Sequence, residues 1–129
     1  TDVMMVIGDF LNRHMQNVLV VNDSVDLRSK MPTLPTLEPK GDLIIRYEPD
    51  THHMFIDAKA FKNDCVQRQV NYKETLKELE TKRILLDTRN KHLSKGMKIK
   101  SPAVRTLVLD TSHSDFVKHG LDPDASGEG

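Results

Sequence analysis

The sequence predicts an α+β domain in which a helix-turn-helix is followed by a β-hairpin. Asp57 and Asn71 each precede a segment with helical periodicity, and their side chains suit the N-cap position. Glu74, three residues after Asn71, completes a capping-box pattern. Two β-rich segments, ILLD and VRTLVLD, then follow. This order of elements is typical of a winged helix, here with an N-terminal helix and a short strand as an extension.

The two predicted helices have complementary apolar faces. In the first, Phe61 and Cys65 lie four residues apart on one side. In the second, Tyr72, Leu76 and Leu79 recur at helical spacing. The two stripes are therefore expected to pack against each other, which leaves the polar positions of the second helix free to meet a ligand, as in a helix-turn-helix that enters a major groove.

The chain before these helices also has recognisable elements. Residues 2–15 start with a capping Asp2 and are amphipathic, which predicts a helix, and NVLVVN predicts a short strand. Segments 43–47 and 54–56 flank a Pro-Asp turn, which predicts a hairpin.

These elements suggest four parts of the chain. Residues 1–22 form a helix and strand that pack on the core, and residues 23–41 form a linker containing three prolines. Residues 42–111 form the winged helix, and residues 112–129 form a flexible acidic tail.

The net charge of zero conceals a strong asymmetry. Residues 59–105 contain 13 Lys and Arg but 5 Asp and Glu, whereas the other residues contain 6 basic and 14 acidic side chains. A local excess of this kind predicts a surface that binds a polyanion. The single cysteine, Cys65, on the inner face of a helix, predicts a buried thiol in a reducing, cytoplasmic compartment. No apolar run is long enough to span a membrane.

Nucleic-acid binding is the leading hypothesis, with duplex DNA favoured because exposed aromatics for stacking on single strands are scarce. Lys73 and Lys77 would lie near the groove, and five basic residues would lie on a long loop between the last two strands, over residues 88–103. Lysines bind phosphates as point charges, so the interaction would be mainly with the backbone. Five neutralised phosphates would give a slope of about −4.5 for log affinity against log salt. The predicted contacts are Lys59, Lys62, Arg68, Gln69, Asn71, Lys73, Lys77, Arg89, Lys91, Lys95, Lys98 and Lys100.

Two alternatives remain open at this point. Asp50, Asp57 and Lys59 spell the Pro-Asp and Asp-x-Lys pattern of a nuclease superfamily, in which two carboxylates would hold Mg²⁺. Winged helices also act as protein docking modules, because a fold does not fix a function. No other pattern suggests an enzyme, a cofactor or a structural metal site: the chain lacks a phosphate-binding glycine loop, a nucleophile with its base, and paired metal-ligand spacing.

The run GDLIIRYEPDTHHMFIDAKAFKNDCVQRQVNYKETLKELETKRILL, together with LSKGMKIKSPAVRTLVLD, resembles the winged-helix domain at the C-terminal end of replication proteins from phages and mobile elements. The parent proteins of that group are typically primases or helicases. The resemblance covers residues 41–110 and implies an accessory module that engages DNA. Any ATPase or primase activity would then belong to a parent protein outside this sequence.

Overall fold

A computed structural model describes residues 2–23, 34–96 and 101–120. Within these ranges the chain has four α-helices and one five-stranded sheet, so the predicted α+β class is confirmed. In chain order the elements are α1 (Val3–Arg13), a short 3₁₀ turn (Met15–Asn17), β1 (Val18–Val20), β2 (Ile45–Glu48), β3 (His53–Asp57), α2 (Ala58–Gln67), α3 (Tyr72–Thr81), β4 (Leu85–His92), β5 (Ala103–Asp110) and α4 (Ser114–Lys118). None of the described helices is long and apolar enough to cross a bilayer.

Two hairpins form most of the sheet, and they meet where β3 pairs with β5. Its strand order is β1-β2-β3-β5-β4, with β1 parallel to β2 and every other pair antiparallel. Both predicted hairpins, β2–β3 and β4–β5, are present. Helices α2 and α3 connect β3 to β4 along the chain, and β5 then pairs with both of these strands.

Side-chain caps start the helices where the sequence predicts them. The Asp2 carboxylate accepts a hydrogen bond from the Met4 N–H at 2.9 Å, and that of Asp57 accepts from the Lys59 N–H at 3.0 Å. The Asn71 side-chain oxygen accepts from the Glu74 N–H at 3.0 Å. These bonds satisfy backbone donors that have no partner inside the helix, so each cap fixes a helix start locally.

Replacing Asn71 with alanine is expected to lower the free energy of unfolding by about 1 kcal/mol, because α3 loses its cap. Urea unfolding measures the change. Asn63→Ala is the matched control, since Asn63 is an exposed residue inside α2 and does not cap a helix. Equal losses in the two variants would contradict the role of Asn71.

The main core lies between the helices and one face of the sheet. Alternation along β3 directs Met54 and Ile56 towards the helices, where they join Phe10, Phe61 and others in one buried cluster. Cys65 belongs to the same cluster, as predicted. The opposite face of the sheet carries a smaller cluster of buried apolar residues, formed by Phe55, Leu93 and Val108.

Two segments differ from the sequence-based expectation. Residues 88–92, predicted to begin a loop, continue β4, because pairing with β5 extends to His92 opposite Ala103. Residues 114–118, predicted to belong to a flexible tail, form α4, which buries Phe116 completely. The apolar area that Phe116 removes from water anchors this helix, an effect that the polar composition of the segment concealed.

The remaining predicted parts fall partly outside the described ranges. Residues 24–33 of the predicted linker and residues 121–129 of the predicted tail are not described. From residue 34 the chain runs along β1, where Leu37 forms an isolated antiparallel bridge with Val20. Helix α1 contacts α2 through an ion pair between Arg13 and Asp64 at 2.6 Å.

Candidate nucleic-acid interface

Helix α3 runs alongside the β4–β5 hairpin. Burial is the main cause that raises the pKa of Tyr72, the first residue of this helix, and the charge of Arg105 on β5 partly offsets that increase. Near its other end, Glu80 lines a shallow depression of about 160 Å³ together with residues 85–88 of β4. The C-terminal end of the helix and the start of β4 therefore form the walls of one shallow depression.

The exposed surface of α3 has two sides of opposite net charge. Lys73, Lys77 and Glu80 recur at i, i+4 and i+7, so they share the side that faces the hairpin. Glu74 and Glu78 lie on the other side, where they line a second depression beside the α2–α3 turn. Positive charge on α3 is thus confined to the side next to the hairpin.

The hairpin contributes polar groups to the helix-facing side of the sheet. Asn90 and Arg105 are opposite each other in the β4–β5 ladder, and both are exposed. The Arg105 guanidinium donates a hydrogen bond to the Thr88 hydroxyl at 2.8 Å, which holds its charge at the strand surface. We call the surface formed by Lys73, Lys77, Asn90 and Arg105 the α3–hairpin groove.

Arg105 is not among the predicted contacts, although its alternation with two leucines in the sequence indicates its position. It alternates with Leu107 and Leu109 along β5, and both of these leucines lie in the core beneath the helices. The two-residue period of a strand places Arg105 on that same face, at the exposed end of the hairpin.

The structure leaves part of the predicted set accessible. Arg89 is half exposed but pairs with Asp87 at 3.1 Å. It occupies the opposite face of β4 from Asn90, so it lies outside the α3–hairpin groove. The exposed members of the predicted set that carry positive charge are Lys59, Lys62, Lys73, Lys77, Arg68 and Arg89.

Two lysines of the predicted long loop, residues 88–103, contact the rest of the protein. The Lys91 ammonium lies 4.6 Å from the centre of the Phe55 ring, and burial lowers the pKa of Lys91, as does the nearby charge of Arg46. The Lys95 side chain is only 17% exposed, and its ammonium donates hydrogen bonds to two backbone carbonyls at 3.0 and 2.7 Å, those of Asn22 and Asp23. Both lysines anchor the hairpin instead of extending from it.

Three predicted contacts around the α2–α3 turn also have structural roles. Arg68 pairs with Asp9 of α1 at 2.6 Å. Gln69 occupies a left-handed backbone conformation, with φ of 58°, that closes the turn. Asn71 caps α3 through its side-chain oxygen. The last two predicted contacts, Lys98 and Lys100, lie outside the described residues.

A buried ion pair within β2 includes the arginine that also contacts the hairpin. Arg46 Nε and Glu48 Oε2 lie 2.8 Å apart, with side chains only 5% and 3% exposed, although without the alignment of a regular hydrogen bond. The same guanidinium donates to the His92 carbonyl at 3.3 Å and contacts the Asp23 carboxylate at 3.4 Å. This network connects the end of β4 to β2, three strands away.

The residues of the nuclease alternative are not brought together. Asp50 lies in the turn before β3 and Asp57 at its far end, so a strand about 13 Å long separates them. Asp57 is occupied as the α2 cap, and Lys59 lies exposed in the first turn of that helix. In the described part of the chain, no three His, Cys, Asp or Glu side chains form a group able to hold a metal ion.

Comparison with known proteins adds no relative: no protein-family model, no curated protein and no solved structure matches the chain.

Proposed function

We propose that the chain is a winged-helix module that binds duplex DNA mainly through backbone phosphates. The topology supports this assignment. In a winged helix, a strand precedes the helix-turn-helix, and a hairpin follows it and pairs with that strand. Here β3, α2, α3, β4 and β5 follow one another along the chain, and the spatial order of the strands is β3-β5-β4. Strands β1 and β2 extend this sheet beyond β3.

The observation that carries the proposal is the placement of three exposed cations on α3 and the adjacent hairpin. Lys73 and Lys77 lie on the side of α3 that faces the hairpin, and Arg105 lies on the helix-facing side of β5. Cationic side chains spaced along a protein surface suit the phosphates of a nucleic-acid strand. The adjacent Asn90 amide can donate to a phosphate or a base edge.

The acidic side of α3 determines how the duplex would approach. Glu74 and Glu78 would repel phosphates if the helix lay centrally in a major groove. We therefore place one phosphate strand along the α3–hairpin groove, with the acidic side turned away. This mode gives affinity with little base specificity, because lysines are the main contacts.

The aromatic residues favour duplex over single-stranded DNA. All four Phe and Tyr47 are buried, and Tyr72 is half buried against the core. Binding of single strands usually requires exposed aromatic rings on which bases stack. We expect a single-stranded oligonucleotide of the same length to compete poorly with a duplex.

Removing the α3 lysines is expected to reduce the salt dependence of binding. Each lost phosphate contact lowers the magnitude of the slope of log affinity against log salt by about 0.9. The double variant K73A/K77A should therefore lower that magnitude by about 1.8. Fluorescence anisotropy with a labelled duplex of random sequence, titrated at several salt concentrations, measures the slope and the affinity.

Lys40→Ala is the charge-matched control for the two single variants, since Lys40 is exposed but lies beside the end of α1. It should leave the slope unchanged, whereas Lys73→Ala and Lys77→Ala each reduce it. No binding by the intact chain, or binding that is insensitive to salt and to these variants, would overturn the proposal and favour a protein partner.

The place of this module in a larger protein stays a prediction from the sequence resemblance. A primase or helicase of a phage or mobile element would use such a module to hold DNA near its catalytic domain. The sequence that adjoins this chain in its gene tests the prediction, because a nucleotide-binding glycine loop there would support it and its absence would oppose it.

A further inference from the structure

Strand β4 lies at an edge of the sheet. Strand β4 is the last strand of the sheet, and among the described residues it pairs only with β5. The backbone groups on its other side can therefore form a ladder with another strand. The exposed side chains at this edge include Leu86, which is 50% exposed at the irregularity where β4 and β5 change register.

The charges along this edge are self-complementary. Asp87 and Arg89 lie two residues apart on the same face of β4, with Thr88 between them. In an antiparallel pair of identical strands centred on Thr88, Asp87 of each copy stands opposite Arg89 of the other. The two threonines pair at the centre, and Leu86 stands opposite Asn90.

We propose that two copies of the chain associate through antiparallel pairing of their β4 strands, centred on Thr88. The pairing replaces the contact between Asp87 and Arg89 within each chain by two contacts between chains. Opposite charges and paired threonines at directly opposed positions stabilise an antiparallel ladder. The exposed Leu86 is covered at the same time.

The charges at the middle of β4 favour pairing with a second copy. The Lys91 ammonium lies 4.6 Å from the centre of the Phe55 ring on β3, two strands away from the edge, so its charge lies away from the proposed seam. The charges left at the middle of the strand are of opposite sign, so a second copy in this register is attracted.

The proposed dimer also sets the relative positions of the two α3–hairpin grooves, although its formation does not require them. A two-fold axis perpendicular to the joined sheet leaves both α3 helices on the same side. The two grooves would then lie beside each other and face in one direction. Self-association is nevertheless a property of the protein alone, and it is tested without nucleic acid.

Sedimentation velocity over a range of protein concentrations tests the proposal. The unaltered chain should show a monomer–dimer equilibrium, weak because a single strand from each copy forms the contact. Asp87→Arg leaves four positive charges at the seam and Arg89→Asp leaves four negative ones. Each single variant should raise the dimer dissociation constant at least about tenfold.

A charge-swap experiment distinguishes pairing in this register from nonspecific association. Mixing the Asp87→Arg and Arg89→Asp chains should restore association as a heterodimer, and the double variant D87R/R89D should associate like the unaltered chain. Both residues are half exposed, and circular dichroism with thermal unfolding checks that each variant is folded. A chain that stays monomeric at its highest soluble concentration, or a dimer that the single variants leave intact, would overturn the proposal.

Discussion

Replacing Phe61 with alanine is expected to lower the free energy of unfolding by about 4 kcal/mol. Phe61 is completely buried, and its ring lies edge-on to Phe10 with the centroids 5.2 Å apart. Its centroid is also 6.1 Å from that of Tyr72. These three residues belong to α1, α2 and α3, so the cavity would remove contacts from all three helices at once. Urea unfolding followed by circular dichroism measures the loss.

Val66→Ala is the control on the same helix. Val66 is 65% exposed, so removal of two methyl groups should change the free energy of unfolding by less than about 0.5 kcal/mol. A loss below about 1 kcal/mol for Phe61→Ala would contradict the position of this ring at the junction of the helices.

Replacing Glu48 with alanine is expected to lower the free energy of unfolding by about 3 kcal/mol, because the buried Arg46 guanidinium loses its close counter-ion. The value lies at the lower end for a broken buried ion pair, since the Asp23 carboxylate remains 3.4 Å from the same guanidinium. Thermal and urea unfolding of the variant measure this change.

The double variant R46M/E48L provides the decisive comparison. Replacing both members of a buried ion pair by apolar side chains of similar size removes the desolvation cost together with the attraction. Its stability should therefore lie within about 1 kcal/mol of the unaltered chain. A double variant less stable than Glu48→Ala would show that the hydrogen bond from Arg46 to His92 contributes more than the ion pair.

This network also explains why the hairpin offers fewer free lysines for phosphate contacts than the sequence predicts. The loop end of the hairpin is held by Arg46 at the His92 carbonyl and by Lys95 at two carbonyls after β1. The charge count of the sequence overstates the free charge because Lys91 and Lys95 are occupied in fixing the hairpin.

Local chemistry determined most of the elements. Caps at Asp2, Asp57 and Asn71 satisfy donors within three residues, and apolar periodicity selects which face of a helix is buried. Both interactions depend on neighbours in sequence, so the starts of α1, α2 and α3 and the inward position of Cys65 were predictable. The two hairpins were predictable for the same reason, because their strands are close in sequence and flank recognisable turns or loops.

The sequence by itself thus determined the α+β class, the helix starts, the two hairpins and a basic middle segment. Only the tertiary structure decided which basic residues are free, because the partners of Lys91, Lys95 and Arg68 come from β3, from the segment after β1 and from α1. It likewise decided that β4 continues to His92 and that Phe116 anchors a fourth helix. Each of these outcomes depends on a contact between residues distant in sequence, which no local pattern specifies.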